Sequence, residues 1–199
     1  MTVVARRAVL AGVGGAAAAS LAAAMLLRKP APRIATLTPD TPAEAVRLQS
    51  LGALKPVEPP RAVPPLSFVD AAGTTRRLGD DAGRGVVLNL WATWCAPCVA
   101  EMPSLAVLAR QGAAAGLVVL PLSSDRGGAA VVERFYRAHG IVGLPVLLDP
   151  NGAATEALGA RGLPTTLLID RQGRERARLE GAADWAAAAA LPMLIRLIA

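Results

Sequence analysis

Cys95 and Cys98 are the only cysteines in the chain, and they stand two residues apart in the stretch Val86–Pro103, VVLNLWATWCAPCVAEMP. An apolar run, Val86 to Trp91, precedes them and a helix-compatible run follows. That order delivers a dithiol to the first turn of a helix. The N–H groups there lack intrahelical partners, and the dipole adds roughly half a positive charge. Both effects favour thiolate over thiol, which makes Cys95, the outer of the two, the attacking sulfur. Cys98, one turn further in, resolves a mixed disulfide by attacking Cys95. Pro97 between them fits a first turn, where a missing N–H is no loss. Two thiolates are half of a tetrahedral zinc site, and the single histidine, His139, falls at a predicted helix end, where it caps carbonyls. No metal site is expected, and no cofactor beyond the redox-active Cys95–Cys98 disulfide.

The string NLWATWCAPCVAEMPSL resembles the membrane-anchored, extracytoplasmic thiol:disulfide oxidoreductases of the TlpA/ResA branch of the thioredoxin-like fold. GLPTTLLID at 162–170 is similar to that branch's second signature, a strand entered through a cis-proline, and GAADWAA at 181–187 is similar to the last helix on its TlpA side. The resemblance covers about residues 66–199. It implies that Pro164 is cis and faces the dithiol, and that Leu163 offers backbone groups to an extended substrate. Glu101, three residues after Cys98, shares a helix face with it; the resemblance makes it the group that tunes cysteine titration and proton transfer. The candidate catalytic residues are therefore Cys95, Cys98 and Glu101, and the candidate substrate-binding residues Trp94, Pro97, Leu163 and Pro164. Asn89 stands where cytosolic thioredoxins carry a buried aspartate, and a neutral amide cannot act as the base. Trp94 is expected to cover the disulfide and touch partners. Trp91 reads as core, and Trp185 as packing with no chemical role.

The composition narrows the function class. Net charge is +6, from 19 arginines and two lysines against 15 acidic residues. The arginines are scattered and no basic–aromatic interleaving appears, so nucleic-acid binding is not expected. A lone C-x-x-C leaves no cysteine for a structural disulfide and reads as redox.

The elements that must position the dithiol follow in chain order. Residues 1–7 precede an uncharged run, Ala8–Leu27, long enough to span a bilayer. It reads as an uncleaved anchor with residues 1–7 in the cytoplasm; a cleaved signal, faintly twin-arginine at Arg6–Arg7, is the alternative. Residues 28–65 read as a tether, with five prolines between Lys55 and Pro65. Within it, Thr41-Pro42-Ala43-Glu44 has capping-box spacing and predicts a short helix over Pro42–Leu51. The thioredoxin-like domain is expected over 66–199. It starts with a hairpin, LSFVD and TTRRL, followed by the buried strand Val86–Trp91. A helix from Cys95 to about Gln111 then carries Pro103, which predicts a kink. Next come a strand at Leu117–Leu122, a helix at Val131–His139, a short strand at Pro145–Asp149 and a short helix at Ala153–Leu158. Strands at Thr165–Asp170 and Glu175–Glu180 and a last helix, Ala183–Ile198, complete an α/β fold: a central mixed sheet flanked by helices. The pair near 145–158 matches the βα insert of the resembling branch.

These readings converge on a single-pass protein of the cell inner membrane, its catalytic domain in the periplasm, acting as a monomer. The resemblance implies that it reduces disulfides in respiratory-assembly proteins, for copper oxidase or cytochrome c maturation, and that a membrane electron donor recharges it. A disulfide oxidant or isomerase of exported proteins, or a Cu(I)-binding metallochaperone, are the alternatives.

Overall fold

A computed structural model describes residues 50–198. The central strand is β4, Gly85–Trp91, in which every residue is buried. A run of Val, Leu and Trp with no polar alternation suits a strand covered on both faces. β4 pairs in parallel with β5, Leu117–Ser123, and antiparallel with β7, Thr165–Ile169. Beyond β7 lie β8, Arg174–Glu180, and β1, Lys55–Ala62; beyond β5 lie β6, Leu147–Leu148, then the hairpin β2, Ser67–Asp70, and β3, Thr75–Arg77. The eight strands form one mixed sheet in the order β1-β8-β7-β4-β5-β6-β2-β3. The helices are α1, Ala96–Gly112; α2, Ala129–His139; α3, Ala153–Ala157; and α4, Ala190–Ile198.

Strand alternation divides the core in two. Val87, Trp91, Val119 and Leu168 join a cluster with Met102, Leu105 and Leu108 of α1, Phe135 of α2 and Leu194 of α4. Val86, Leu88, Leu90, Leu120 and Leu167 join a second, with Phe68, Ala154 and Leu158. This is the expected thioredoxin-like α/β arrangement, with an N-terminal hairpin and with β6 and α3 inserted between α2 and β7.

Three elements depart from the sequence reading. Lys55–Ala62, assigned by its prolines to the tether, is the edge strand β1, paired antiparallel with β8, so the sheet begins before Leu66. Prolines suit an edge strand because one side of it needs no N–H donors. The register slips between Pro56 and Arg61, around a cis Glu58–Pro59 bond. The last helix begins at Ala190 rather than Ala183. Pro192 is accommodated in its first turn, and residues 183–185 bond to α1 instead. The strand expected over Pro145–Asp149 keeps two residues. Asp149 is drawn off to cap α3, accepting the Ala154 and Thr155 N–H groups and the Thr155 hydroxyl.

α1 runs continuously through Pro103, which lies on its exposed side. The expected membrane span, Ala8–Leu27, and most of the expected Pro42–Leu51 helix lie outside the described residues. At the latter's end, Leu51–Ala53 forms a 3-10 turn that buries Leu51. Among the described residues, no helix is long and apolar enough to cross a membrane.

Strand registers fix which end of the sheet is which. Thr165 pairs with Leu90 and with Glu180, and Lys55 pairs with Arg178, so β1 enters at the end where β4 reaches Trp91. α4 finishes at the opposite end. Ile198 lies so close to Gly85, the first residue of β4, that a Cβ there would collide with it.

Candidate active site

β4 ends at Trp91, which is fully buried and stacks on Tyr136 of α2 at 5.9 Å. The chain then turns through Ala92–Trp94, a short loop held from the side. Asp125 accepts the Thr93 N–H at 2.9 Å and the Thr93 hydroxyl at 2.6 Å, and the Ser123 hydroxyl at 2.7 Å. Neither Asp125 nor Ser123 stands out in the sequence. Their signal, a Ser-x-Asp at the end of a strand, is too common to single out. Trp94, at the outer edge of the loop, is 69 % exposed. A groove of about 1200 Å³ opens beside it, between the 123–128 loop and the 149–152 turn.

Cys95 is the N-cap of α1 and is bonded to Cys98, with an S–S distance of 2.06 Å. Its sulfur accepts the Cys98 N–H at 3.3 Å, so a donor of the helix terminus points at it. That contact favours a thiolate on Cys95 once the disulfide is reduced. Pro97 occupies the first turn. Cys95 retains 7 % exposure and Cys98 none, which makes Cys95 the sulfur an outside partner reaches first.

The Leu163–Pro164 bond is cis. β7 begins at the next residue, and its pairing with Leu90 sets Pro164 at the sheet end where β4 gives way to the dithiol loop. The Pro164 carbonyl accepts the Gly181 N–H at 2.8 Å. Leu163, half-buried, has no backbone hydrogen bond within the described residues and is free to make one.

Glu101 is fully buried one turn beyond Cys98. Asn89 of β4 donates to its Oε1 at 2.9 Å, and the same amide nitrogen donates to the Thr166 hydroxyl of β7 at 2.9 Å. The Ala183 N–H and the Trp185 indole N–H both donate to Oε2 at 2.9 Å. Burial pushes the carboxyl up to about 7, against the pull of the hydrogen bonds from Trp185, Ala183 and Asn89. A group that changes charge near neutrality therefore lies on the dithiol helix. Trp185, read from the sequence as packing alone, bonds directly to it. The contact spans 84 positions and no local pattern announces it.

His139 sits at the end of α2 with Nδ1 3.0 Å from the Phe135 carbonyl, as a helix-end cap. Among the described residues, no cluster of three or more His, Cys, Asp and Glu is placed to ligate a metal.

Residues 59–177 match the AhpC/TSA family. The thiol-disulfide oxidoreductase ResA of Bacillus thuringiensis (strain Al Hakam) is 33 % identical over 114 residues, covering 57 % of this chain and 65 % of that protein. ResA of Geobacillus thermodenitrificans is 34 % identical over 118 residues, covering 59 % and 67 %. The chain thus spans about two thirds of the length of these relatives. A secreted thiol-disulfide isomerase from Corynebacterium glutamicum shares the fold, with a TM-score of 0.63 over 73 % of this chain and 92 % of that one, at 23 % identity.

Proposed function

The chain belongs to the AhpC/TSA family, and from that footing we propose that it is a thiol:disulfide oxidoreductase that reduces disulfides in other proteins. The observation that carries the reading is the pairing of a reachable Cys95 with a sealed Cys98 at the first turn of α1. In the reduced protein the Cys95 thiolate attacks one sulfur of a substrate disulfide, and the other substrate sulfur leaves and is protonated. Cys98 then loses its proton and attacks the Cys95 sulfur, releasing the second substrate thiol. Two electrons pass to the substrate, its two thiols take up the Cys98 proton and one proton from solvent, and the protein is left as the Cys95–Cys98 disulfide. Leu163, before the cis-proline, has backbone groups to offer an extended substrate segment. The exposed face of Trp94 and its groove give that segment an apolar edge.

The physiological setting belongs to the same proposal. The protein is an inner-membrane, single-pass monomer with this domain in the periplasm. It reduces respiratory-assembly proteins that handle copper or cytochrome c, and a membrane electron donor recharges it. The similarity to ResA proteins supports this reading, as does the apolar run Ala8–Leu27.

The deciding measurement is the reduction potential of Cys95–Cys98 in the full chain, equilibrated against glutathione and dithiothreitol buffers. A value near or below about −270 mV is expected of a dedicated reductant. A value near about −120 mV, that of a strong oxidant, would reverse the proposed electron flow. In either direction, Cys95→Ser is expected to abolish exchange with a disulfide substrate. Cu(I) binding retained with no exchange activity would favour a metal carrier.

A further inference from the structure

We propose that Trp185 is a positioning residue: with the Ala183 amide it locks Oε2 of Glu101, so that the carboxyl takes up and gives back its proton only at Oε1, against an Asn89–Thr166 pair that turns to suit either state. The inference deepens the reading above and rests on it for its functional meaning.

Donors and acceptors decide which oxygen can titrate. A carboxyl oxygen has two lone pairs, and both of those on Oε2 are taken, by the Ala183 N–H and the Trp185 indole N–H. Neither partner can become an acceptor, so a proton on Oε2 would break one of these bonds and leave a buried N–H unpaired. The partners cannot easily retreat either. Trp185 is fully buried, its own backbone N–H donates to the Ser104 hydroxyl at 3.1 Å, and that hydroxyl donates to the Glu101 carbonyl at 2.7 Å. Residues 183–185 are thereby bolted to the turn of α1 that carries Glu101.

Oε1 differs. Its donor is the Asn89 amide, which also donates to Thr166, while the Asn89 Oδ1 is buried with no partner among the described residues. Turning that amide over puts Oδ1 where the nitrogen was. It then accepts the proton carried by Oε1 and the hydroxyl proton of Thr166. Two hydrogen bonds are exchanged for two, so this side accommodates both charge states.

No ionised side chain acts on Glu101. α1 brings only Cys98 and Cys95 near it, joined as a disulfide. β4 and β7 bring the neutral Asn89 and Thr166. Asp184 is exposed and accepts the Ala186 N–H, Glu180 of β8 pairs with Arg161, and Arg196 of α4 is exposed.

The test is an NMR pH titration of the full chain in detergent micelles, reduced and oxidised, following the Glu101 carboxyl carbon, the Asn89 side-chain amide and the Trp185 indole N–H. In the natural sequence, the Asn89 amide should move with the Glu101 midpoint while the indole N–H stays in place. Trp185→Phe keeps a ring and deletes the donor; it should raise the midpoint by about one pH unit, because a hydrogen bond to the charged form is lost. The pH dependence of disulfide exchange should shift with it, and that shift should vanish when Glu101→Gln is also present. An unmoved midpoint in folded Trp185→Phe overturns the proposal. So does an indole N–H that tracks the titration while Asn89 stays still, a result read from the natural sequence even if the variant does not fold. The titration needs no turnover. A chain that exchanges no disulfides would therefore sink the proposed function, while the lock on Oε2 would still stand or fall by these three signals.

Discussion

Glu101 lies on α1 beneath the dithiol, and Glu175 lies in β8 beside the edge strand. Both are buried, at 0 % and 2 % exposure. Glu175 accepts from Arg178 at 2.7 Å and from Arg61 at 2.8 Å. Burial alone would raise its pKa, but the hydrogen bonds and charges of the two arginines outweigh burial and hold it below the usual carboxylate range. Glu101 has three neutral N–H donors and no cation, and burial prevails. The same residue type, equally hidden, is held as an anion at neutral pH in one place and is a proton-exchanging group in the other. What separates them is whether a full positive charge or only dipoles face the carboxyl.

The sharpest way to break this contrast is to remove each carboxylate in turn. Glu175→Leu strands Arg178, whose side chain is 13 % exposed, without its anion and should destabilise the fold by about 3–5 kcal/mol in urea unfolding at pH 7. Glu101→Gln mimics the protonated carboxyl and should cost about 1 kcal/mol or less at the same pH. Equal losses would erase the distinction.

Stability against pH separates the two by sign. With its pKa raised from 4.5 to about 7, folded Glu101 binds more protons than unfolded Glu101 across that window. Stability should therefore fall as pH rises from 4.5 to about 7, by about 3 kcal/mol, and Glu101→Gln should flatten the slope. Glu175, with its pKa lowered, contributes stability that is present at neutral pH and lost as pH falls through its folded value. Urea midpoints measured in the two variants from neutrality down to well below pH 4.5 should each lose one limb of the curve: the limb above 4.5 in Glu101→Gln and the limb below it in Glu175→Leu.

Asp149 supplies a control. It is buried at 3 % exposure and serves as a helix cap through neutral N–H and O–H donors. Asp149→Ala should destabilise by about 1 kcal/mol, with no change in the two pH limbs. A change in either limb would mean that the carboxylates are coupled through the fold.

Legibility in the sequence follows range. Cys95, Pro97 and Cys98 declare themselves within four residues, and the buried run before them announces a central strand. The Leu163–Pro164 signature, the hairpin and the order of most strands and helices are readable the same way. β1 is hidden because proline composition argues for extended chain and cannot say whether a sheet edge lies alongside. The start of α4 is misread because helix propensity across the alanines at 186–190 is strong, while the bonds that draw residues 183–185 to α1 connect positions about 80 apart. For the same reason Glu101 is legible by its offset from Cys98, but Trp185 and Ala183 are not legible as its partners. Asp125, which fixes the loop before Cys95 from 32 residues away, is hidden by the same distance in sequence.

The opposed placement of Lys55 and Ile198 has a practical corollary for electrochemistry. β1 begins at the sheet end that carries the dithiol, whereas Ile198 lies against Gly85 at the other. A protein wired to an electrode through a linker at residue 50 would turn its sulfurs toward the conductor and favour direct voltammetry. The same protein wired beyond Ile198 would turn them toward the solution, where they remain open to a soluble substrate but sit a full sheet length from the metal.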